Sequence, residues 1–126
     1  MSYIYYNPNP LNLSVNDCTV RAISKATNMS WKETYLNLLI QGYMMCDVPS
    51  SNRVWGELLN RFGFKRRLLP DTCPNCYTVR DFCQDFPTGI YLLGTGEHVV
   101  TIIDGDYYDS WDSGNEIPLY FFERKD

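Results

Sequence analysis

The sequence predicts an α+β fold, with N-terminal helices packed on a C-terminal, mostly antiparallel β-sheet. Three observations predict it. Apolar residues recur at helical spacing, between recognisable caps, as far as Phe86. From Ile90 the apolar period changes to two. Asp104-Gly105 then lies between two alternating runs, which is a hairpin signal. The 126 residues are expected to form one domain, residues 1–126.

Each element has its own local reason. Residues 1–13 are rich in Tyr, Asn and Pro. Pro8 and Pro10 favour extended neighbours, and Tyr3, Ile4, Tyr5, Tyr6, Leu11 and Leu13 are costly to leave in water, so an ordered arm is expected. The first helix begins near Asp17 or Cys18 and runs to about Thr27. Asn16 or Asp17 caps it, Val20, Ile23 and Ala26 form its buried stripe, and Asn28 stops it. Ser30 to Glu33 is a capping box, with Trp31, Tyr35, Leu38 and Leu39 following at helical spacing and Gly42 ending the helix. A third helix starts near Ser51, carries Val54, Trp55, Leu58, Leu59 and Phe62, and stops at Gly63. Phe64 to Leu69 reads as a short strand. Pro70 to Tyr77 is a loop, and Thr78 to Phe86 a short helix capped by Thr78 and Asp81. Strands follow at Ile90–Leu93, His98–Ile103, Tyr107–Trp111 and Leu119–Phe122.

Composition narrows the function. Hydrophobic residues make up 44% of the chain, enough for a globular core. The net charge of -4 argues against a nucleic-acid partner, which wants a basic excess. No apolar run approaches the ~20 residues of a membrane span, and Met1 to Pro10 lacks the parts of a secretory signal. A cytoplasmic protein, of a cell or of a phage host, is expected. Five Cys cannot all pair, and in a reducing cytosol the thiols are expected to stay free. The single His, His98, must serve any chemistry that needs an imidazole.

Cys18 falls in the first turn of a predicted helix, where unpaired amides and the positive end of the dipole favour a thiolate. His98 opens a strand. A hairpin turning at Asp104-Gly105-Asp106 pairs residues whose numbers sum to about 208 to 210, so His98 faces roughly 110 to 112. Asp109 and Asp112 are both within reach of it. A carboxylate beside an imidazole fixes its tautomer and stabilises the imidazolium. A nucleophile, a base and an orienting acid therefore occur in the order Cys18, His98, Asp109, with Asp112 as the alternative acid. Trp111 and Tyr107 alternate beside Asp109 and could line the cleft or shield the His–Asp bond.

The segments Asn16 to Ile23, Gly96 to Val100 and Tyr107 to Asp112 resemble a minimal papain-like cysteine peptidase. They are similar to small bacterial and phage proteins of that type and to the peptidase domains that process bacteriocin leaders. The resemblance spans residues 12 to 122. It implies a papain-like fold and a cysteine peptidase or amidase acting on a peptide or protein, with no cofactor and no metal. It implies an oxyanion hole made by the Cys18 amide and a side-chain amide six residues upstream. That position holds Asn12, where the family has Gln, and Asn16 is the second candidate. Two other readings use the same residues. One is a non-catalytic peptide- or protein-binding module on this fold, such as a phage accessory or inhibitor protein. The other is transglutaminase-like acyl transfer.

Other motifs are bland. Cys73-Pro74-Asn75-Cys76 has half of a zinc site's spacing, with only Cys83 as a possible third ligand, so two loop thiols are expected. Lys65-Arg66-Arg67 reads as a solvated edge strand.

Overall fold

A computed structural model describes residues 1–124. The elements run β1 (Tyr3–Tyr5), α1 (Cys18–Thr27), α2 (Trp31–Met45), α3 (Asn52–Arg61), β2 (Phe64–Leu68), α4 (Val79–Asp85), β3 (Ile90–Gly94), β4 (Val99–Ile103), β5 (Asp106–Asp109) and β6 (Tyr120–Arg124). The expected α+β class holds. Among the described residues no helix is long and apolar enough to cross a membrane.

The six strands form one sheet in the order β1-β5-β4-β3-β6-β2. All neighbours are antiparallel except β1, which runs parallel to β5 with Tyr3 opposite Tyr107. The arm expected at the N-terminus is thus an edge strand, and the sheet is mixed. The β4–β5 register pairs Thr101 with Tyr108 and Ile102 with Tyr107, as the Asp104-Gly105 turn predicted. β2 lies at the other edge and exposes Lys65, Arg66 and Arg67, in keeping with a solvated strand.

Strand alternation feeds two cores. Leu92, Val99 and Phe122 point to one face, under α1, α2 and α3, and meet Ile23, Leu38, Trp55, Leu58 and Leu59. Leu93, Val100 and Phe121 point to the other face and meet Val79, Phe82 and Cys83 of α4. The helices therefore cover both faces of the sheet. Thr101 stays buried on the α1 face because its hydroxyl donates to the Ala22 carbonyl at 2.6 Å.

Both capping boxes form, at Ser30/Glu33 and at Thr78/Asp81. α2 does not end at Gly42. It continues to Met45, and Cys46 takes the left-handed cap position. Gly42 is needed for a close approach instead: a Cβ there would lie 2.8 Å from the Asp47 carbonyl and 3.2 Å from Pro49 N. Gly94 has the same kind of role, since a Cβ would lie 2.3 Å from the Tyr120 ring. That contact sets Tyr120 against the end of β3, beside the turn leading to His98.

Candidate active site

Cys18 is the first residue of α1. Asp17 occupies the N-cap position, but its carboxylate takes no first-turn amide. This corrects the expected capping role of Asp17. Its two oxygens are held elsewhere, Oδ1 by Arg21 at 2.7 Å and Oδ2 by the Trp31 indole N–H at 2.8 Å. The first-turn amides, with the positive end of the dipole, are left beside the thiol.

Asp109 closes β5 and its side chain is fully buried. His98 Nε2–H donates to its Oδ2 at 2.6 Å, and Ser113 Oγ donates to the same oxygen at 2.6 Å. Oδ1 accepts from the Ser110 amide at 2.8 Å and from Arg21 Nε at 3.2 Å. The backbone carbonyl of Asp109 accepts from the Tyr6 amide and the Tyr3 hydroxyl, so the β1 arm anchors the acid. Because Nε2 is committed to Asp109, Nδ1 is the nitrogen left for the thiol of Cys18.

The ionisation of the three groups follows from these contacts. Burial raises the Cys18 thiol, but hydrogen bonding and charge from His98, with help from the Val99 backbone and Thr19, outweigh it and bring the thiol down. Burial lowers His98, but hydrogen bonds to Asp109 and Cys18, and the charges of both, lift it to about 9. Burial raises Asp109, yet the hydrogen bonds from His98 and Ser113 and the charges of His98 and Arg21 hold it below the usual range. The three shifts favour a thiolate–imidazolium pair over a neutral one.

Arg21 is one residue of the site that sequence reasoning missed. It is buried one turn below Asp17 and joins it to Asp109, with its Nη2 3.0 Å from Asp109 Oδ1. Two buried carboxylates thus share one guanidinium. The cluster lacks one positive charge, and protonated His98 supplies it. The Asp17/Arg21 spacing of four was the available signal, but such pairs usually lie on a solvated helix face.

The cleft around Cys18 encloses about 180 Å³ and is lined by Asn16, Thr19, Ser50, Asn52, Trp55, Glu97, His98 and Tyr120, among others. Of the two upstream amides, only Asn16 lines it. Asn12 sits in an exposed turn, where its backbone N–H donates to the Asn9 carbonyl and its φ is 55°. Asn12 is therefore not the oxyanion donor that a spacing of six suggests, because the turn breaks the register of the segment. Asn52, which sequence reasoning did not single out, lines the cleft from the first turn of α3. Its Oδ1 accepts from the Trp55 indole at 3.0 Å, which leaves its NH2 to donate.

Asp112 does not approach His98. It is held by Arg80 at 3.0 Å and by the Tyr107 hydroxyl at 2.6 Å. Of the two acids, Asp109 alone pairs with the imidazole. Trp111 packs on the His98 ring, centroids 4.8 Å apart, whereas Tyr107 is buried against Tyr3. The CxxC thiols are not free as expected: Cys73 and Cys76 form a disulfide, in a turn that brings their Cα atoms to 4.2 Å. Cys18, Cys46 and Cys83 are free. Burial pushes the Cys83 thiol up to about 11, so it stays protonated.

Comparison of the chain with protein-family models, with curated proteins and with solved structures finds no match.

Proposed function

We propose that the chain is a cysteine hydrolase of papain-like type, a peptidase or amidase acting on a peptide or protein. One observation carries this reading: His98, held by the buried Asp109, lines the same cleft as the Cys18 thiol at the start of a helix. The order of elements supports the papain-like assignment, with Cys18 opening a helix, His98 leading into β4 and Asp109 ending the next strand.

In this mechanism the Cys18 thiolate attacks the substrate carbonyl carbon. The oxyanion is received by the Cys18 backbone amide and by the side-chain amide of Asn16 or Asn52. His98 gives its proton to the leaving amine as the C–N bond breaks, which leaves a thioester on Cys18. Neutral His98 then takes a proton from water, whose oxygen attacks the thioester. Collapse expels the thiolate and releases the acid. Asp109 orients His98 and stabilises its charged form throughout. A cytoplasmic setting belongs to the same proposal because it would keep Cys18 reduced, whereas the Cys73–Cys76 disulfide argues for a less reducing one.

Stoichiometric iodoacetamide at neutral pH, read by peptide mass spectrometry, tests the activated thiol. Cys18 should be modified well before the exposed Cys46, and His98→Ala should remove that preference. Equal, slow modification of Cys18 and Cys46 would end the proposal. An activated Cys18 that hydrolyses no member of a peptide-amide library, with or without an added amine, would favour the binding-module reading. The displacement of Asn12 from the cleft already lends that reading some support.

A further inference from the structure

We infer that the chain pairs with a second copy of itself through the outer face of α2, in an antiparallel, two-fold arrangement. The inference is independent of the chemistry at Cys18.

α2 carries its larger apolar side chains on its outer side. Its inner side buries Thr34, Leu38, Gln41 and Gly42. Its outer side carries Tyr35, Leu36, Leu39, Ile40, Tyr43 and Met44, which are 48%, 55%, 44%, 54%, 84% and 69% exposed. These six recur one, three and four residues apart, so they form one continuous stripe. No charged residue occurs from Thr34 to Cys46. A contiguous apolar stripe of this width is larger than isolated surface leucines require and marks a contact surface.

The size and symmetry of the stripe select the occupant. The exposed fractions correspond to about 800 Å² on one copy, which is what each partner contributes to a standard stable interface. A two-fold axis between Leu39 and Ile40 places Leu36 opposite Tyr43 and Tyr35 opposite Met44 of the other copy. Lys32 and Asp47 lie equally far from that centre, at opposite ends. The axis therefore brings exposed Lys32 towards the Asp47 end of the other copy. Lys32 and Asp47 thus meet as unlike charges at both ends, and the helix dipoles oppose. A parallel pairing would set like ends together. A bilayer is a poorer match, because interfacial helices carry Lys and Arg beside the apolar face and this one offers only Lys32.

The pairing also reaches the candidate site. Tyr35 lines an apolar hollow with Val15, Leu38 and Pro49, and this hollow shares Asn16, Thr19 and Ser50 with the Cys18 cleft. Met44 of the other copy would sit at its rim.

Sedimentation equilibrium of the full chain from about 1 to 200 μM tests the inference. The expected species has twice the 14.7 kDa chain mass. Ile40→Lys and Tyr43→Lys should each weaken it at least about 30-fold. Circular dichroism and melting of the monomer should stay unchanged, since both side chains face solvent. Leu39→Cys in a Cys46→Ser background should cross-link to a dimer on oxidation, while Leu36→Cys should not. A monomer at the highest concentration overturns the inference, whether or not it binds phosphatidylcholine vesicles. So does a dimer that Tyr43→Lys leaves intact.

Discussion

Replacing Asp109 by Asn removes a charge at nearly constant volume, leaving one oxygen to accept where two did. Burial drags His98 down, and Asp109 is first among the influences that lift it from 6.5 to about 9. That lift corresponds to about 3 kcal/mol of tighter proton binding. At pH 7.5 the native ring is about 97% protonated; returned to 6.5 it is about 10% protonated. The thiolate is stabilised by the imidazolium, so alkylation of Cys18 at pH 7.5 should fall about 10-fold in Asp109→Asn.

The chain has one His, so a proton NMR titration reads it without assignment. The native midpoint should lie near 9 and that of Asp109→Asn at 6.5 or below. The sign in stability follows. His98 is raised on folding, so its contribution is complete below 6.5 and lost as pH rises through about 9. Cys18 is lowered, so its contribution is complete above 9.0 and lost as pH falls through its folded value. The charged pair is populated between those limits, and alkylation should plateau there. A native midpoint near 6.5, or identical titrations of the two proteins, refutes the assignment of Asp109.

Two further outcomes follow from the buried network and the cleft. Arg21→Met should destabilise the fold by about 3–5 kcal/mol in urea unfolding, because it leaves Asp17 and Asp109 buried without their guanidinium; Arg21→Lys should recover part of this, and a loss below 1 kcal/mol would show the network to be incidental. If Asn16 or Asn52 receives the oxyanion, its change to Ala should lower the hydrolysis rate about 100-fold or more while leaving iodoacetamide modification of Cys18 unchanged.

What could be read in advance had a local cause. The Ser30/Glu33 and Thr78/Asp81 boxes are made within four residues, so spacing alone identifies them. The hairpin register follows from Asp104-Gly105, and it carried Asp109 to His98. Features that depend on distant neighbours were not legible. Gly42 looks like a helix stop until the Asp47–Pro49 segment is seen lying on it. Arg21 looks solvated until β5 brings Asp109 over it. Asn12 satisfies a count of six residues, but the Asn9–Asn12 turn carries it away from the cleft. Asn52 enters the cleft only because α3 starts beside the Gly94–His98 turn. The parallel pairing of β1 has no local signature, because its partner lies at the far end of the chain.

That pairing has a kinetic consequence. The Tyr3 hydroxyl bonds the Asp109 carbonyl across 106 residues of chain. Contacts of such separation carry a large loop-closure cost and consolidate late in folding. A three-residue edge strand is also among the first segments to open in the native state. The orienting acid is therefore tied to the least durable strand of the sheet. Opening of β1 removes the bonds to the Asp109 carbonyl while Arg21, Ser110 and Ser113 still hold its carboxylate, so gentle heating should free the backbone of β5 to exchange before it disturbs the His98 pair.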